Sequence, residues 1–216
     1  MSHYVDLNSD LGESFGNWHA GDPLIMDATV RICKEKGVAV GAHPGYPDLM
    51  GFGRRAMAVN PAEAKAYMIY QVGALQAFCD SYGVTLQHMK LHGAFYNTAC
   101  VTPALADAVL DGLQAVNPNI AAMVLSGSYI AKEAQRRGIP VIQEVFADRG
   151  YTDEGTLVPR TEPGAFIKDP QEALERVLMM VTEGKVVTNT GNTIDIVADS
   201  VCAKAGVTVA NFQNRK

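Results

Sequence analysis

The sequence predicts a single α/β domain in which parallel strands form a sheet or barrel. Apolar runs of strand type alternate with helical patterns along the chain, in about six or seven strand–helix units. No low-complexity linker interrupts the alternation, and 216 residues suit one well-buried domain better than two. The unit count is typical of a barrel, although a complete eightfold barrel usually needs about 250 residues.

The first strand is predicted at residues 4–7, and it runs into an acidic turn. This turn contains Asp6, Asn8, Asp10 and Glu13. Carboxylates this close together after a strand suggest a metal site or a proton-transfer site. The alternative is an Asx-rich turn that caps a helix. The segment alone leaves both interpretations open.

A helix is predicted next, from about residue 23 to residue 36. Pro23 suits a first helical turn, and Gly37 suits a helix end. Leu24, Ala28 and Ile32 have the spacing of one helix face. We therefore expect these three side chains in the core.

The second strand is an apolar run at residues 38–42 that ends at His43. In α/β folds, functional residues gather at the carboxyl ends of parallel strands. The loop GFGRR that follows places Arg54 beside Arg55. Two adjacent arginines suit bidentate binding of a carboxylate or phosphate, and a solvated pair is the alternative. Asn60 and Pro61 then predict the start of a long helix that ends near residue 82.

Residues 86–97, LQHMKLHGAFYN, are the most informative stretch. Polar and apolar residues alternate there, which predicts a strand with His88, Lys90 and His92 on one face. Such a face suits the wall of an active site, and an exposed edge strand is the alternative. Gly93 permits a sharp turn, after which Asn97 is available for binding.

The second half of the chain continues the alternation. Helices are predicted at about residues 102–116, 128–137 and 169–183, and strands at residues 120–125, 139–146 and 193–197. Glu144 lies inside an apolar strand, where an unpaired carboxylate is costly to bury, so it needs a partner or a function. Asp148 and Arg149 follow this strand, and an extended loop places Arg160.

The carboxyl ends of parallel strands lie at one edge of a sheet. We therefore expect the polar residues after the strands to converge there, namely the acidic turn, His43, Lys90, His92, Glu144, Asp148, Arg149 and Asp199.

Composition excludes several classes of function. The net charge is −5, and the basic residues are scattered, so no nucleic-acid surface is expected. No apolar run approaches the ~18 residues of a membrane span, and the N-terminus has no signal-peptide pattern. The four cysteines are widely separated, without the spacing of a zinc site. These features predict a soluble cytoplasmic protein.

Four strings in order carry a resemblance to a known family: DLNSDLGESFG, VAVGAHPGYPDLMGFGRR, KLHGAFYN and EVFADRGYTDEGTLVPR. Together they resemble the LamB/YcsF family, from about residue 4 to residue 202. The resemblance implies a distorted, TIM-like β/α barrel of about seven strands, similar to the glycoside hydrolase and deacetylase fold. It also implies the A subunit of an ATP-dependent 5-oxoprolinase. That enzyme is a hydrolase that cleaves a cyclic amide C–N bond, turning 5-oxoproline into L-glutamate, in a complex with two other subunits, B and C.

Residue type and strand position suggest roles in this reaction. The predicted catalytic residues are Asp10, Glu13, His43, Lys90, His92, Glu144 and Asp148. The predicted substrate- or phosphate-binding residues are Asn8, His19, Arg54, Asn97, Arg149 and Arg160. ATP is the expected cofactor, and Asp10 with His43 would hold a divalent cation such as Mg²⁺. The sequence has no phosphate-binding loop GxxxxGK(S/T), so it does not establish which subunit binds ATP.

Two other functions stay open: a metal-dependent, deacetylase-like carbohydrate hydrolase, and a non-catalytic subunit that binds substrate. The oligomeric state is open as well, a homo-oligomer included. The chain also departs from the family, because members are longer between Trp18 and His19 and again after Cys202. We expect that residues are missing from the sequence at these two joins.

Overall fold

The computed structural model describes residues 5–10 and 23–202 of the chain. The described helices are α1 (Pro23–Lys36), α2 (Pro61–Tyr82), α3 (Gly93–Val101), α4 (Pro103–Val116), α5 (Tyr129–Arg136) and α6 (Pro170–Glu183). The described strands are β1 (Asp6–Asn8), β2 (Val40–Ala42), β3 (Leu86–Met89), β4 (Ala121–Leu125), β5 (Val141–Phe146), β6 (Lys185–Val187), β7 (Thr193–Asp195) and β8 (Ser200–Cys202).

Six of these strands form a sheet in the order β1-β8-β5-β4-β3-β2. Strands β1 and β5 pair parallel with β8, and β2 and β4 pair parallel with β3. Helices connect most of them, so the predicted α/β class is confirmed. The remaining strands, β6 and β7, pair antiparallel in a separate two-stranded sheet.

The chain forms two compact units. The described residues of the first, here called the helical unit, are 10, 23–124 and 129–142. Those of the second, here called the terminal unit, are 5–9, 125–128 and 143–202. Each has its own buried apolar residues, such as Met68 and Leu113 in the first and Val145 and Val201 in the second.

Local capping determines the bounds of α2 as predicted. The side chain of Asn60 accepts a hydrogen bond from the backbone N–H of Glu63 at 3.0 Å, and the Glu63 carboxylate accepts one from the N–H of Asn60 at 2.9 Å. This reciprocal pair satisfies two donors that the first turn would otherwise leave unmet. Gly83 ends the helix with a φ of 63°, a conformation that glycine adopts without steric cost.

The predicted core face of α1 is wrong. Leu24 is 77% exposed and Ile32 is 47% exposed, whereas Val30 is fully buried. The four-residue spacing of these apolar side chains indicated a helix correctly. It did not identify the buried side because Val30 lies off the stripe that contains Leu24, Ala28 and Ile32.

Helix α3 was not predicted, and it follows directly from the central strand. Five of its nine residues are buried, and they occupy more than one side of the helix. A short helix that is buried on several sides lacks the periodic apolar stripe by which helices are recognised in a sequence.

The last parallel strand also differs from the prediction. Residues 193–195 are β7, the second strand of the antiparallel pair, whereas β8 begins at Ser200 and pairs with β1 and β5. Within β8, Ser200 is the register partner of both Asp6 and Glu144. A three-residue strand is too short to show a two-residue alternation.

In the described part of the chain, no single helix is both long and apolar enough to cross a bilayer. Helices α3 and α4 reach that length and composition only when taken together, and a 116° bend separates them.

Candidate functional site

A buried ion pair forms the base of a polar cluster in the helical unit. Lys90 directly follows β3, and its ammonium group donates a hydrogen bond to Oδ1 of Asp10 at 2.9 Å. Only 6% of Lys90 is exposed. A charge this deeply buried requires a partner of opposite charge, and Asp10 provides it.

Two histidines extend this cluster. His43 follows β2, and its Nδ1 lies 2.7 Å from the backbone carbonyl oxygen of Lys90. Nε2 of His43 lies 3.8 Å from Oδ2 of Asp10 and 3.1 Å from Nδ1 of His92. The two rings meet edge to face, with centroids 4.9 Å apart. The structure thus brings together four predicted site residues: Asp10, His43, Lys90 and His92.

The loop of residues 45–53 encloses the ring of His92. Nε2 of His92 donates to the carbonyl oxygen of Phe52 at 2.7 Å. Phe52 has a φ of 54°, a conformation that non-glycine residues rarely adopt and that is typical of sites where function imposes strain. A Cβ atom on Gly53 would lie 2.8 Å from Cδ2 of His92, and one on Gly45 would lie 3.3 Å from it. Glycine at these positions therefore lets the backbone contact the ring.

Asp48 holds this loop in shape. Its carboxylate accepts a hydrogen bond from the N–H of Gly51 at 2.9 Å and pairs with the guanidinium of Arg55. The hydrogen bonds from Arg55, with that from Gly51, lower the pKa of Asp48 to about 2. Neither Asp48 nor Phe52 was among the predicted site residues. The sequence feature that marks this loop is the close spacing of glycines in PDLMGFG, which was not used in the prediction.

Three other predicted or considered residues of the helical unit have different environments. The ring of His88 lies against the backbone of Gly41, where a Cβ would come within 2.1 Å of its Nε2. Arg54 is exposed, with its guanidinium 5.3 Å from the ring centroid of Phe52. Asn97 is exposed on α3, and its side chain makes no hydrogen bond to the residues that the structure describes.

The terminal unit contains a second group of predicted residues. The side-chain amide of Asn8 donates to Oγ of Ser200 at 2.9 Å. Glu144 is fully buried on β5, in register with Ser200. Asp148 follows β5, and its Oδ1 is buried without a hydrogen-bond partner among residues 5–10 and 23–202. Ser200 was missed by the sequence analysis, because the strand that carries it was missed.

The two predicted arginines of the terminal unit both lie close to the ring of Phe166. Arg149 is 4% exposed and donates to the carbonyl oxygens of Ala165 at 2.9 Å and Val158 at 2.6 Å. Burial lowers the pKa of Arg149. Because two of its N–H groups bind backbone carbonyls, these contacts hold the loop together. Arg160 is exposed, 5.2 Å from the centroid of the same ring.

Two predicted residues, Glu13 and His19, lie outside the described residues.

The described residues do not by themselves complete a metal site around Asp10 and His43. Among residues 5–10 and 23–202, no group of three His, Cys, Asp or Glu side chains is placed to hold a metal ion. Both ring nitrogens of His43 already lie within hydrogen-bond distance of protein atoms, and Oδ1 of Asp10 accepts from Lys90. The role of a divalent cation therefore stays a prediction.

The polar cluster combines the groups that acid–base chemistry on an anion requires. The ammonium of Lys90 can stabilise negative charge, and the paired imidazoles can hold or move a proton. The carboxylate of Asp10 orients both, since it contacts the ammonium and faces the ring of His43.

The chain is similar to known proteins over most of its length. Residues 17–210 match the model of the LamB/YcsF family. The A subunit of a 5-oxoprolinase from Fusobacterium nucleatum is 56% identical, over 94% of this chain and 87% of the relative. Its counterpart from Pyrococcus abyssi is 48% identical, over 92% of this chain and 86% of the relative.

The fold has a similar counterpart in a crystal structure of a lactam utilization protein from Thermus thermophilus. The two chains are 42% identical and superpose with a TM-score of 0.85, over 93% of this chain and 90% of the other. The alignment with the Fusobacterium protein spans 223 positions, more than the 216 residues of this chain. The aligned part of that relative therefore contains residues that have no counterpart in this chain.

Proposed function

This chain belongs to the LamB/YcsF family, and on that premise we propose that it acts as the A subunit of an ATP-dependent 5-oxoprolinase. The proposed reaction opens 5-oxoproline to L-glutamate while ATP is hydrolysed to ADP and phosphate. The observation that carries the proposal is the 56% identity with a protein named as the A subunit of 5-oxoprolinase. The word subunit in that name supports a complex, which we propose contains the B and C subunits as partners. A cytoplasmic location is part of the same proposal.

The chemistry explains why ATP is required. A lactam carbonyl is a poor electrophile, so water alone opens the ring slowly. In the proposed sequence, the lactam oxygen attacks the terminal phosphorus of ATP and ADP leaves. Water then adds to the activated carbon, and the C–N bond breaks with its electron pair going to nitrogen, which takes up a proton. A second water cleaves the resulting acyl phosphate into glutamate and phosphate.

The polar cluster of the helical unit offers groups for these steps. We assign Lys90 to the stabilisation of phosphoryl or carboxylate charge, because its ammonium is buried and held by Asp10. We assign His43 and His92 to proton transfer, because their rings contact each other beside that carboxylate. In the terminal unit, Glu144 and Asp148 remain candidates for proton transfer, and Asn8 for substrate binding.

The test is 5-oxoproline-dependent ADP release by the chain alone and together with the B and C subunits. Release only in the full mixture would support a shared enzyme. Release by the chain alone would show that this chain binds both ATP and the substrate. No release in either mixture, from folded protein, would contradict the proposal; activity without ATP that is lost with a chelator would favour a metal-dependent hydrolase instead.

The variant Lys90→Met tests the site within this assay. It removes the ammonium but keeps the length of the side chain, so we expect turnover to fall about a hundredfold to a thousandfold, as when a single charge-stabilising donor is removed. Lys90→Arg keeps the positive charge and should retain more activity than Lys90→Met.

The matched control is Lys132→Met, which removes an exposed lysine of α5. It should leave turnover unchanged. Circular dichroism and thermal melting would establish that all three variants fold. Wild-type turnover by a folded Lys90→Met protein would contradict the assigned role of Lys90 in the reaction.

A further inference from the structure

The loop of residues 45–53 carries two large apolar side chains that face solvent. Met50 is 92% exposed, more than any other large apolar residue in the described part of the chain, and Leu49 beside it is 65% exposed. Met57, further along the chain, is exposed as well. Single exposed apolar residues are normal on a protein surface, whereas neighbouring ones indicate an interaction site. We call residues 49–50 and 54–58 the tip surface.

Arg55 links the two stretches of the tip surface. Its guanidinium pairs with Asp48, the residue directly before Leu49. Its Cδ lies 2.8 Å from the position of a Cβ built on Gly51, so the side chain covers the backbone of the loop. The second stretch, which contains Met57, therefore begins beside the first.

Hydrogen bonds fix the backbone beneath these exposed side chains. The N–H of Gly53 donates to the carbonyl oxygen of Asp48 at 3.1 Å, and the carbonyl oxygen of Gly53 accepts from the N–H of Ala94 at 2.9 Å. The side chain of Asp48 accepts from the N–H of Gly51 at 2.9 Å. A surface whose backbone is already held loses less conformational entropy when a partner binds, so the loop is suited to association.

The tip surface is basic, although the chain as a whole has a net charge of −5. Residues 49–58, LMGFGRRAMA, contain two arginines and no carboxylate. Arg55 is already paired with Asp48. Arg54 is exposed and makes no ion pair with a described carboxylate, and its guanidinium lies 5.3 Å from the ring centroid of Phe52. The charge of Arg54 is therefore available to a carboxylate of another molecule.

We propose that the tip surface docks another protein subunit of the enzyme, through a surface of that subunit that combines apolar side chains with carboxylates. Apolar groups of the partner cover Leu49 and Met50, and a carboxylate pairs with Arg54. Methionine and arginine are enriched in protein–protein interfaces, and complementary charges guide association. The identity of the partner as a 5-oxoprolinase subunit rests on the proposed function, whereas the position of the docking surface does not.

Two other occupants fit the charges less well. In a symmetric contact between two copies of this chain the same patch faces itself, which brings one Arg54 towards the other. Like charges oppose such a contact. An anionic membrane attracts clusters of basic residues, but this surface offers one unpaired arginine on a chain of net charge −5.

Docking at the tip surface brings the partner close to the polar cluster. The carbonyl oxygen of Phe52, on the same loop, accepts a hydrogen bond from His92 at 2.7 Å. The partner therefore contacts the loop that orients a ring of the site. This position suits an enzyme in which several subunits share one reaction.

The affinity of the full chain for the immobilised B and C subunits, measured by biolayer interferometry, tests the docking surface. The tip variant Leu49→Gln, Met50→Gln should raise Kd about tenfold or more, as for residues at the centre of an interface. The matched control is Ile69→Gln, Tyr70→Gln, another exposed apolar pair, which lies on α2. It should leave Kd within about twofold. A wild-type Kd in the tip variant would overturn the proposal, as would a greater loss of affinity in the control.

Hydrogen exchange of the wild-type chain provides a measurement that needs no variant. Residues 49–58 should exchange their amide hydrogens more slowly when the B and C subunits are bound. A complex without added protection in these residues would contradict docking at the tip surface. Thermal melting of the two double variants would establish that both fold.

The variant Arg54→Glu tests the stated chemistry of the partner. Because the charge is reversed, the association rate at low salt should fall about tenfold. Added salt should slow the association of the wild-type chain but not that of the variant. An association rate that is unchanged or higher in Arg54→Glu would show that the partner surface is not acidic, which overturns this part of the proposal.

Sedimentation velocity and vesicle binding test the other occupants. Self-association of the wild-type chain, and binding to vesicles of phosphatidylserine and phosphatidylcholine, should not depend on Leu49 and Met50. Self-association that the tip variant abolishes would identify a second copy as the occupant. Vesicle binding that the tip variant abolishes would identify a membrane. Either result would overturn the proposal.

The ADP-release assay separates the docking surface from the proposed function. With saturating B and C subunits, the tip variant should reach the wild-type kcat within about twofold, and with limiting amounts it should release ADP more slowly. Tip-dependent association without 5-oxoproline-dependent ADP release would refute the proposed function and leave the docking surface standing. ADP release by a complex that forms independently of the tip would do the reverse. A wild-type chain that does not bind the B and C subunits would overturn the docking proposal whatever its activity.

Discussion

Lys90 and His92 come together with His43 because the backbone that carries them stays extended beyond the end of β3. Strand β3 ends at Met89, yet Lys90 still donates its N–H to Ala42 and His92 donates to Pro44. The two-residue alternation therefore continues beyond the strand and delivers both side chains to one cluster. His88 belongs to the strand itself, and its ring packs on Gly41.

At the same scale, Asp48 acts on the cluster indirectly. Its side-chain hydrogen bonds go to Gly51 and Arg55, and they fix the loop whose Phe52 carbonyl accepts from His92. We therefore regard it as a positioning residue.

The variant Asp48→Asn tests this role. It removes the charge that pairs with Arg55, and we expect the loop to loosen and turnover to fall on the order of a hundredfold, the effect of a misplaced catalytic group. The nitrogen-15 NMR signals of the His92 ring should change as well, which a structural defect in another part of the chain would not cause.

Asp153→Asn is the control. Asp153 is also a loop carboxylate, and it accepts hydrogen bonds from Thr188, Thr190 and Asn192 in the terminal unit. It should lower the melting temperature without changing the His92 signals. An Asp48→Asn protein with unchanged His92 spectra and unchanged turnover would contradict the positioning role.

At the scale of elements, the side chains of Asn60 and Glu63 cap the N-terminus of helix α2. Asn60→Ala removes the side-chain oxygen that accepts from the N–H of Glu63 and leaves the backbone N–H that donates to the Glu63 carboxylate, and we expect the free energy of unfolding to fall by about 1 kcal/mol. Urea denaturation measures this loss. Asn60→Ser retains a capping oxygen and should recover most of it; equal stability of the alanine and serine variants would show that the cap contributes little.

The packing of α2 against α4 depends on a glycine. A Cβ on Gly112 of α4 would lie 2.6 Å from Cβ of Met68 and 3.0 Å from the carbonyl oxygen of Lys65, both on α2. Gly112→Ala should therefore destabilise the fold by about 1–3 kcal/mol, although alanine favours helices.

Gly73 on α2 provides the opposite case, because nothing lies within 4 Å of a Cβ built there. Gly73→Ala should stabilise the fold by up to about 1 kcal/mol through helix propensity alone. Thermal and urea unfolding of the two variants should give changes of opposite sign. A stabilised Gly112→Ala protein would mean that α2 and α4 separate easily.

At the scale of the whole molecule, ion pairs make stability depend on pH. Hydrogen bonds from Arg55 lower the pKa of Asp48 to about 2, and those from Arg136 and Arg137 lower the pKa of Glu133 to about 2. In the unfolded chain, aspartate and glutamate have pKa values of about 4. These carboxylates therefore stabilise the folded chain above that pH, and the contribution is lost as the pH falls from about 5 to about 2.

The urea midpoint should consequently decrease across this range. The double variant Asp48→Asn, Glu133→Gln should be less stable than wild type at pH 7, and the difference should shrink as the pH approaches about 2. A difference that stays constant from pH 7 to pH 2 would mean that neither carboxylate gains stabilising contacts on folding.

The sequence by itself determined the features that depend on interactions between residues close together in the chain. The caps at Asn60 and Asp169, with a proline after each, set the beginnings of α2 and α6, because backbone N–H groups at a helix start are satisfied locally. Alternating apolar runs predicted most parallel strands and hence the α/β class. Two short elements were not predicted: β8, which has three residues, and α3, which is buried on several sides.

Only the tertiary structure decided which polar residues meet. Asp10 and Lys90 are 80 residues apart, and His92 lies 40 residues from the carbonyl group that it binds. No local pattern encodes such distances, because they follow from how strands and loops pack. The strained backbone at Phe52 and the contacts of Gly45 and Gly53 with a ring have the same origin: the surrounding fold stabilises conformations that an isolated segment would not adopt.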